Sequence, residues 1–222
     1  MTTSKYFIGV DMASATFTAC AGATPWQVLV KPTTFANTED GFTTFLNWLK
    51  EHHLTSTQTV VCMESTGVYS EGLAYFLFAN QYTVAIEPPL NIQRKFPANR
   101  SKNDLQDSQH IAEYACRYAD KLSFWRPRPE ILEQIKVLLT TREQFTTQVT
   151  AHKNALHAVK RKKVLSELAK KVHEDIIQQL AKHLKAIDVE IRRLIESDPT
   201  FKKTLLLLLS IPGVGLTLAA HF

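Results

Sequence analysis

Apolar and polar positions change their rhythm along the chain, and each change marks a different kind of structure. In KYFIGVD, then in ATFTACAGA and WQVLVKPTTF, apolar residues run together or alternate between turn-forming stretches, which predicts one strand followed by a hairpin. NTEDGFTTFLNWLKEHH switches to steps of three and four through Phe42, Phe45, Leu46 and Leu49, with Asn37 or Thr38 as its cap, and predicts a helix. TVVCMES is again a buried strand, TGVYSEGLAYFLFAN a strand-to-helix turn and helix, and YTVAIEPP a strand stopped by its prolines. This is the order of a mixed α/β sheet covered by helices, expected as one compact domain over residues 1–125.

Beyond the linker FWRPRPE the period becomes helical and stays so. Ile135, Leu138, Phe145, Val149, Leu156 and Val159 form one series, with Arg142 and His152 in phase; Leu165, Leu168, Val172, Ile176, Leu180, Leu184, Ile187, Ile191 and Leu194 form another. Two amphipathic helices over 131–163 and 165–197, joined near KRKKVLS, predict a helical hairpin or coiled coil across residues 126–200. At about 1.5 Å per residue such a stripe outruns the diameter of a small domain. Either the helices fold back as packing, or two copies meet along a seam that includes Leu180 and Ile187. Residues 201–222 hold LLLLLSIPGVGLTLAAHF, where Pro212, Gly213 and Gly215 between apolar flanks fit a helix-hairpin-helix turn able to hold a phosphate, or a plain tight turn. Because the sequence stops at Phe222 inside an apolar stretch, a following domain is expected to be missing from it.

Composition narrows the class. Cys20, Cys62 and Cys116 form neither a closed disulfide set nor a CxxC pair, and with no signal-like segment or membrane-length apolar run the chain is expected in the cytoplasm, or on the nucleoid when bound to DNA. Charge is uneven: residues 1–90 hold three Lys and Arg against seven Asp and Glu, whereas residues 91–222 hold 23 against 14. A basic second part suits a polyanionic partner, although a solvated helical surface has the same composition.

The candidate chemistry is carried by carboxylates. Asp11 ends the first strand, FIGVD, and Glu64 ends another, VVCME, where ligands gather in α/β sheets. Asp104 and Asp107, three apart at the start of the helix SKNDLQDSQHIAEYA, share a helix face. Four converging carboxylates repel unless they hold divalent metal, and hard oxygen donors favour magnesium, with manganese as its substitute, over zinc. Each also has an ordinary structural role open to it, as strand-end turn former, cap, ion-pair partner or first-turn acid. The basic stretches RKFPANRSK and KRKK, through Arg94, Lys95, Arg100, Lys102, Lys160, Arg161, Lys162 and Lys163, are candidate contacts to a nucleic-acid backbone.

IGVDMA, CMESTGVY and KNDLQDSQHIAEYA, in this order and followed by a long helical segment and LLSIPGVG, resemble the DEDD transposases, the Piv-like insertion-sequence recombinases guided by a structured bridge RNA. The resemblance implies an RNase H-like, RuvC-like sheet whose acidic tetrad, here Asp11, Glu64, Asp104 and Asp107, binds magnesium. It also implies DNA and a structured guide RNA as partners, a homodimer or higher assembly formed through the long helices, and a C-terminal transposase domain carrying a serine nucleophile. A stand-alone junction endonuclease using the same four carboxylates, and a non-catalytic nucleic-acid-binding scaffold, are the competing expectations.

Overall fold

The computed structural model describes residues 5–65, 67–96 and 104–220. They fall into two compact units, Met1–Pro127 and Arg128–Phe222.

In the first unit β1 (Tyr6–Met12), β2 (Thr16–Ala23) and β3 (Gln27–Ala36) are followed by α1 (Glu39–Glu51), β4 (Thr59–Glu64), α2 (Glu71–Ala79), β5 (Thr83–Glu87), α3 (Pro89–Gln93) and α4 (Asp104–Arg117). The strands form one sheet in the order β3-β2-β1-β4-β5. The first three are antiparallel and β1, β4 and β5 are parallel, so this is a mixed sheet of the RNase H-like kind. The expected strand, hairpin, helix, strand, helix, strand order is the observed one.

Period-two alternation divides the core between the two faces of the sheet. Ile8, Val10, Met12, Val61 and Met63 face a cluster with Phe17, Phe35, Phe42, Phe45 and Trp48, whose rings stack, tilt or meet edge-on, as for Phe17 and Phe45 edge-on at 5.3 Å. Phe7, Val60, Cys62 and Ala85 face α4 through Ile111, Tyr114 and Ala115. Thr38, one of the two expected caps, accepts a hydrogen bond from the Gly41 N–H at 3.3 Å. Asn37 has another task, taken up below. One sheet edge is β3, which carries Lys31 and Pro32. Along β5 the chain returns as a short antiparallel segment, with Trp125 N–H donating to Val84 O at 2.8 Å and Ile86 N–H to Ser123 O at 3.2 Å.

Gly9 sets how closely α4 can lie. A Cβ there would run into the backbone at Ser108 O and Ala112 N, so helix and strand touch main chain to main chain.

The second unit contains α5 (Glu130–Lys160), α6 (Glu167–Ser197), α7 (Pro199–Leu209) and α8 (Leu216–Ala219). α5 and α6 run antiparallel as a hairpin, held by Arg142 Nε donating to Asp188 Oδ1 at 2.7 Å and by a 2.9 Å contact between Nδ1 of His152 and Nδ1 of His173. α6 starts two residues later than its period suggests, because Ser166 caps it by accepting from the Ala169 N–H, leaving Val164 and Leu165 in the turn. It ends where Asp198 caps α7, accepting from the N–H groups of Thr200 and Phe201, with Pro199 at the first helical position. Ile135, Leu139, Ile187, Ile191, Leu194, Ile195, Leu205 and Ala219 close a core at the base of the hairpin. Leu180 and Ile187, expected in a seam between copies, are buried within the unit. The turn at PGVG uses a positive φ of 87° at Gly213.

Gly9→Ala should destabilise the first unit by about 3 kcal/mol, since backbone rather than a movable side chain obstructs the methyl. Urea unfolding followed by far-UV circular dichroism measures this; an unchanged midpoint would mean that α4 moves away freely.

Candidate acidic site

Asp11 is the sixth residue of β1 and lies opposite Thr18 of β2, half-buried. The parallel register of β1 and β4 runs from Tyr6 opposite Thr59 to Val10 opposite Met63, so Asp11 and Glu64 are the next pair along. They share the sheet face of Gly9 and Cys62, the one α4 covers.

The direction of α4 follows from three contacts. Cys116, near its C-terminal end, lies 3.7 Å from Ala23 O beside the start of β1; Ser108 and Ala112 lie against Gly9. The N-terminal turn, with Asp104 and Asp107, therefore lies toward the Asp11 end of β1. Asp107 is half-buried one turn into the helix, on the flank that also bears Tyr114. Asp104 opens α4, and its side chain lies outside the described residues. Among the described residues no group of three or more His, Cys, Asp and Glu draws together as a metal-holding cluster.

The loops that follow the two acidic strand ends are tied together by the other expected cap. Asn37 Nδ2 donates to Ala13 O and to Tyr69 O, both at 3.1 Å, joining the loop after β1 to the helical turn Gly67–Ser70. That turn follows Glu64 closely and begins at Gly67 with a φ of 73°, a conformation that glycine adopts without strain.

A third strand-end carboxylate stands beside Asp11 and Glu64. Glu87 ends β5 opposite Glu64, and its side chain is only 1% exposed. Its Oε1 accepts from Ser123 N–H at 2.7 Å, and its Oε2 from Asn91 Nδ2 at 3.3 Å and Tyr114 OH at 3.4 Å. The signal that singled out Asp11 and Glu64, an apolar strand closed by an acid, is equally present in VAIE but was masked by the prolines after it. Burial, then the charges of Glu87 and Glu64, push the Cys62 thiol far up. The same burial and the Glu87 carboxylate raise the Tyr114 phenol.

The basic candidates are dispersed. Arg94 and Lys95 are exposed after α3, with Lys95 Nζ 5.2 Å above the Tyr118 ring. Lys160 pairs with Glu174 at 2.9 Å across the hairpin, while Arg161, Lys162 and Lys163 are exposed in the turn. Arg100 and Lys102 lie outside the described residues.

Residues 8–165 match a family model described as a transposase, that of the IS110-type DEDD enzymes. The chain belongs to this family. Relatives of this DEDD transposase chain include the pilin gene-inverting proteins of Moraxella bovis and Moraxella lacunata, each 30% identical over 98% of the chain. The chain spans about 65% of their length. Among solved structures, Thermus thermophilus RuvC in complex with a Holliday junction superposes with a TM-score of 0.42 at 10% identity, over 55% of this chain and 99% of RuvC. A second T. thermophilus RuvC structure gives 0.41 at 11% identity, over 54% and 99%. No helix among the described residues is long and apolar enough to cross a membrane.

The thiols report on the closure of α4 over the sheet. Cys62, buried and held protonated, should resist a thiol reagent at pH 8 in the native chain, as should Cys20, whose thiol burial pushes up to about 11. Half-buried Cys116 should be labelled first, as peptide mapping after timed quenching would show. Early labelling of Cys62 would mean that α4 does not stay closed over β4.

Proposed function

We propose that this chain is the acidic-site and helical-arm part of an RNA-guided DNA recombinase, in which Asp11, Glu64, Asp104 and Asp107 act together on a phosphodiester. The observation that carries this reading is the pairing of two acidic strand ends on the one sheet face that α4 approaches with its own acidic first turn. The relatives' name, pilin gene-inverting, supports a DNA rearrangement as the reaction class.

The donor set fits magnesium or manganese, since it is all oxygen and its neighbouring carboxylates repel one another when alone. Asp11 and Glu64 would hold the ion from the sheet, with Asp104 and Asp107 closing on it from the helix. When bound, such an ion supplies Lewis-acid polarisation of a phosphodiester oxygen. The chain's own share is rigid placement: Gly9 fixes the helix-to-sheet distance, and Asn37 ties the loop after β1 to the turn after β4. The serine nucleophile is assigned to the family's C-terminal transposase domain. Ser210, which donates to Leu207 O at 2.7 Å at the end of α7, is not given that role.

Exposed Arg94, Arg161, Lys162 and Lys163, with Arg100 and Lys102, are assigned to the backbone of guide RNA or DNA, where positive side chains position a polyanion without reading its sequence. The helical arm is assigned to self-association. Its base is closed within the chain, but near the turn the stripe is open: Leu168 is 74% exposed and Val172 45%.

Asp11→Asn removes a ligand charge at nearly constant volume. It should leave the melting temperature close to wild type and abolish manganese binding in calorimetric titration, and in a version carrying the transposase domain it should abolish recombination of donor and target DNA with the element's own RNA. Equal metal binding by both forms makes Asp11 structural. RNA-independent cutting of DNA junctions by residues 1–222 alone would favour a stand-alone nuclease.

Replacing Leu168 and Val172 together by Lys should shift the sedimentation of the chain from dimer to monomer at tens of micromolar without loss of helix signal. A wild-type chain already monomeric there would remove self-association from the arm's role.

A further inference from the structure

Glu87 is a buried acid that neither the family's four carboxylates nor the proposed chemistry uses. Burying a carboxylate is costly unless its oxygens are hydrogen-bonded, and three donors from three different segments meet this one. Asn91 comes from α3, Ser123 from the strand-like return along β5, and Tyr114 from α4. The main chain of the same residue reaches the other side of the site, because Glu87 O accepts the Ser65 N–H at 2.9 Å immediately after Glu64. Glu87 is thus bonded both to the helix that carries Asp107 and to the strand end that carries Glu64.

Helical geometry turns this fastening into a constraint on direction. Tyr114 follows Asp107 by seven residues, so the two lie one above the other on the same flank of α4, two turns apart. The backbone contact at Gly9 sets the distance of α4 from the sheet, and the apolar packing of Ile111 and Ala115 resists a rotation of the helix about its own axis without a directional bond. Holding Tyr114 by its hydroxyl opposes that rotation, and the direction in which Asp107 faces is held with it.

We propose that Glu87 is a positioning residue for the acidic site: it clamps α4 in rotation through Tyr114 and fixes the end of β4 through Ser65, so that Asp107 and Glu64 present their oxygens to one divalent ion. The inference rests on the acidic-site reading above. Glu87 itself is not assigned as a ligand, and a fastening that served only stability would leave metal binding unchanged.

The test measures manganese binding to the 222-residue chain, by calorimetry and by the loss of the free-ion electron paramagnetic resonance signal, for wild type, Glu87→Gln, Tyr114→Phe, the double variant and Asp11→Asn. Glu87→Gln keeps the shape of the side chain while removing its charge, and Tyr114→Phe removes one hydroxyl. Each single variant should weaken manganese binding about tenfold, the usual effect of losing a group that orients a metal ligand. The double variant should bind no more weakly than the weaker single, as expected for two groups acting through one contact. Wild-type affinity in both single variants, with binding lost in Asp11→Asn, would overturn the positioning role and leave the acidic site standing. Wild-type affinity in Asp11→Asn would remove the acidic site itself, and this inference with it. If Glu87→Gln fails to fold, as judged by circular dichroism, Tyr114→Phe alone decides.

Discussion

The main-chain contact between α4 and β1 at Gly9 is the constraint on which the rest of the first unit depends. A side chain of any size there would hold the helix off the sheet, and Ile111, Tyr114 and Ala115 would then lose their packing on Phe7, Val60 and Cys62. The same contact brings the acidic first turn of α4 toward the ends of two parallel strands. Core packing and placement of the carboxylates are therefore one problem with one solution. A substitution that loosens the first also moves the acidic turn of α4 away from those strand ends.

Much of this was legible in the chain because strands and helices write their burial at different periods. IGVD and VVCME state a buried strand and an acid at its end in the same few letters, and parallel pairing brings the two acids alongside. VAIE states it as well, but the prolines at 88 and 89 mark a strand end by themselves and so hide the acid that precedes them. Nothing local announces that Tyr114, Asn91 and Ser123 converge on that carboxylate, since they approach it from three segments separated in sequence. The role of Gly9 was equally hidden. A glycine in an apolar strand is a common sight until the helix crossing it is known.

In the helical arm, the heptad pattern spoke for the length and amphipathicity of the helices but not for what covers them. The stripe is continuous from Leu165 to Leu194, yet its burial is graded, from exposed Leu168 and Val172 near the turn to fully buried Ile191 at the base. The base closes because α7 turns back on it, and that turn depends on Asp198 and Pro199, a cap and a first-turn proline set between two apolar runs. Periodicity alone carries no sign of this break, since the apolar positions continue past it. A local capping signal, read against the period, does.

The two borders of the sheet are closed in different ways. Along β5 the returning segment Ser123–Trp125 already occupies hydrogen-bonding positions at Val84 and Ile86, so an incoming strand finds that ladder in part taken. β3 borders the other side, and there Pro32 lacks an N–H while Lys31 places a charge beside it. Such features discourage one sheet from adding to another. The unit is thereby guarded against runaway edge-to-edge growth by occupation on one flank and by chemistry on the other.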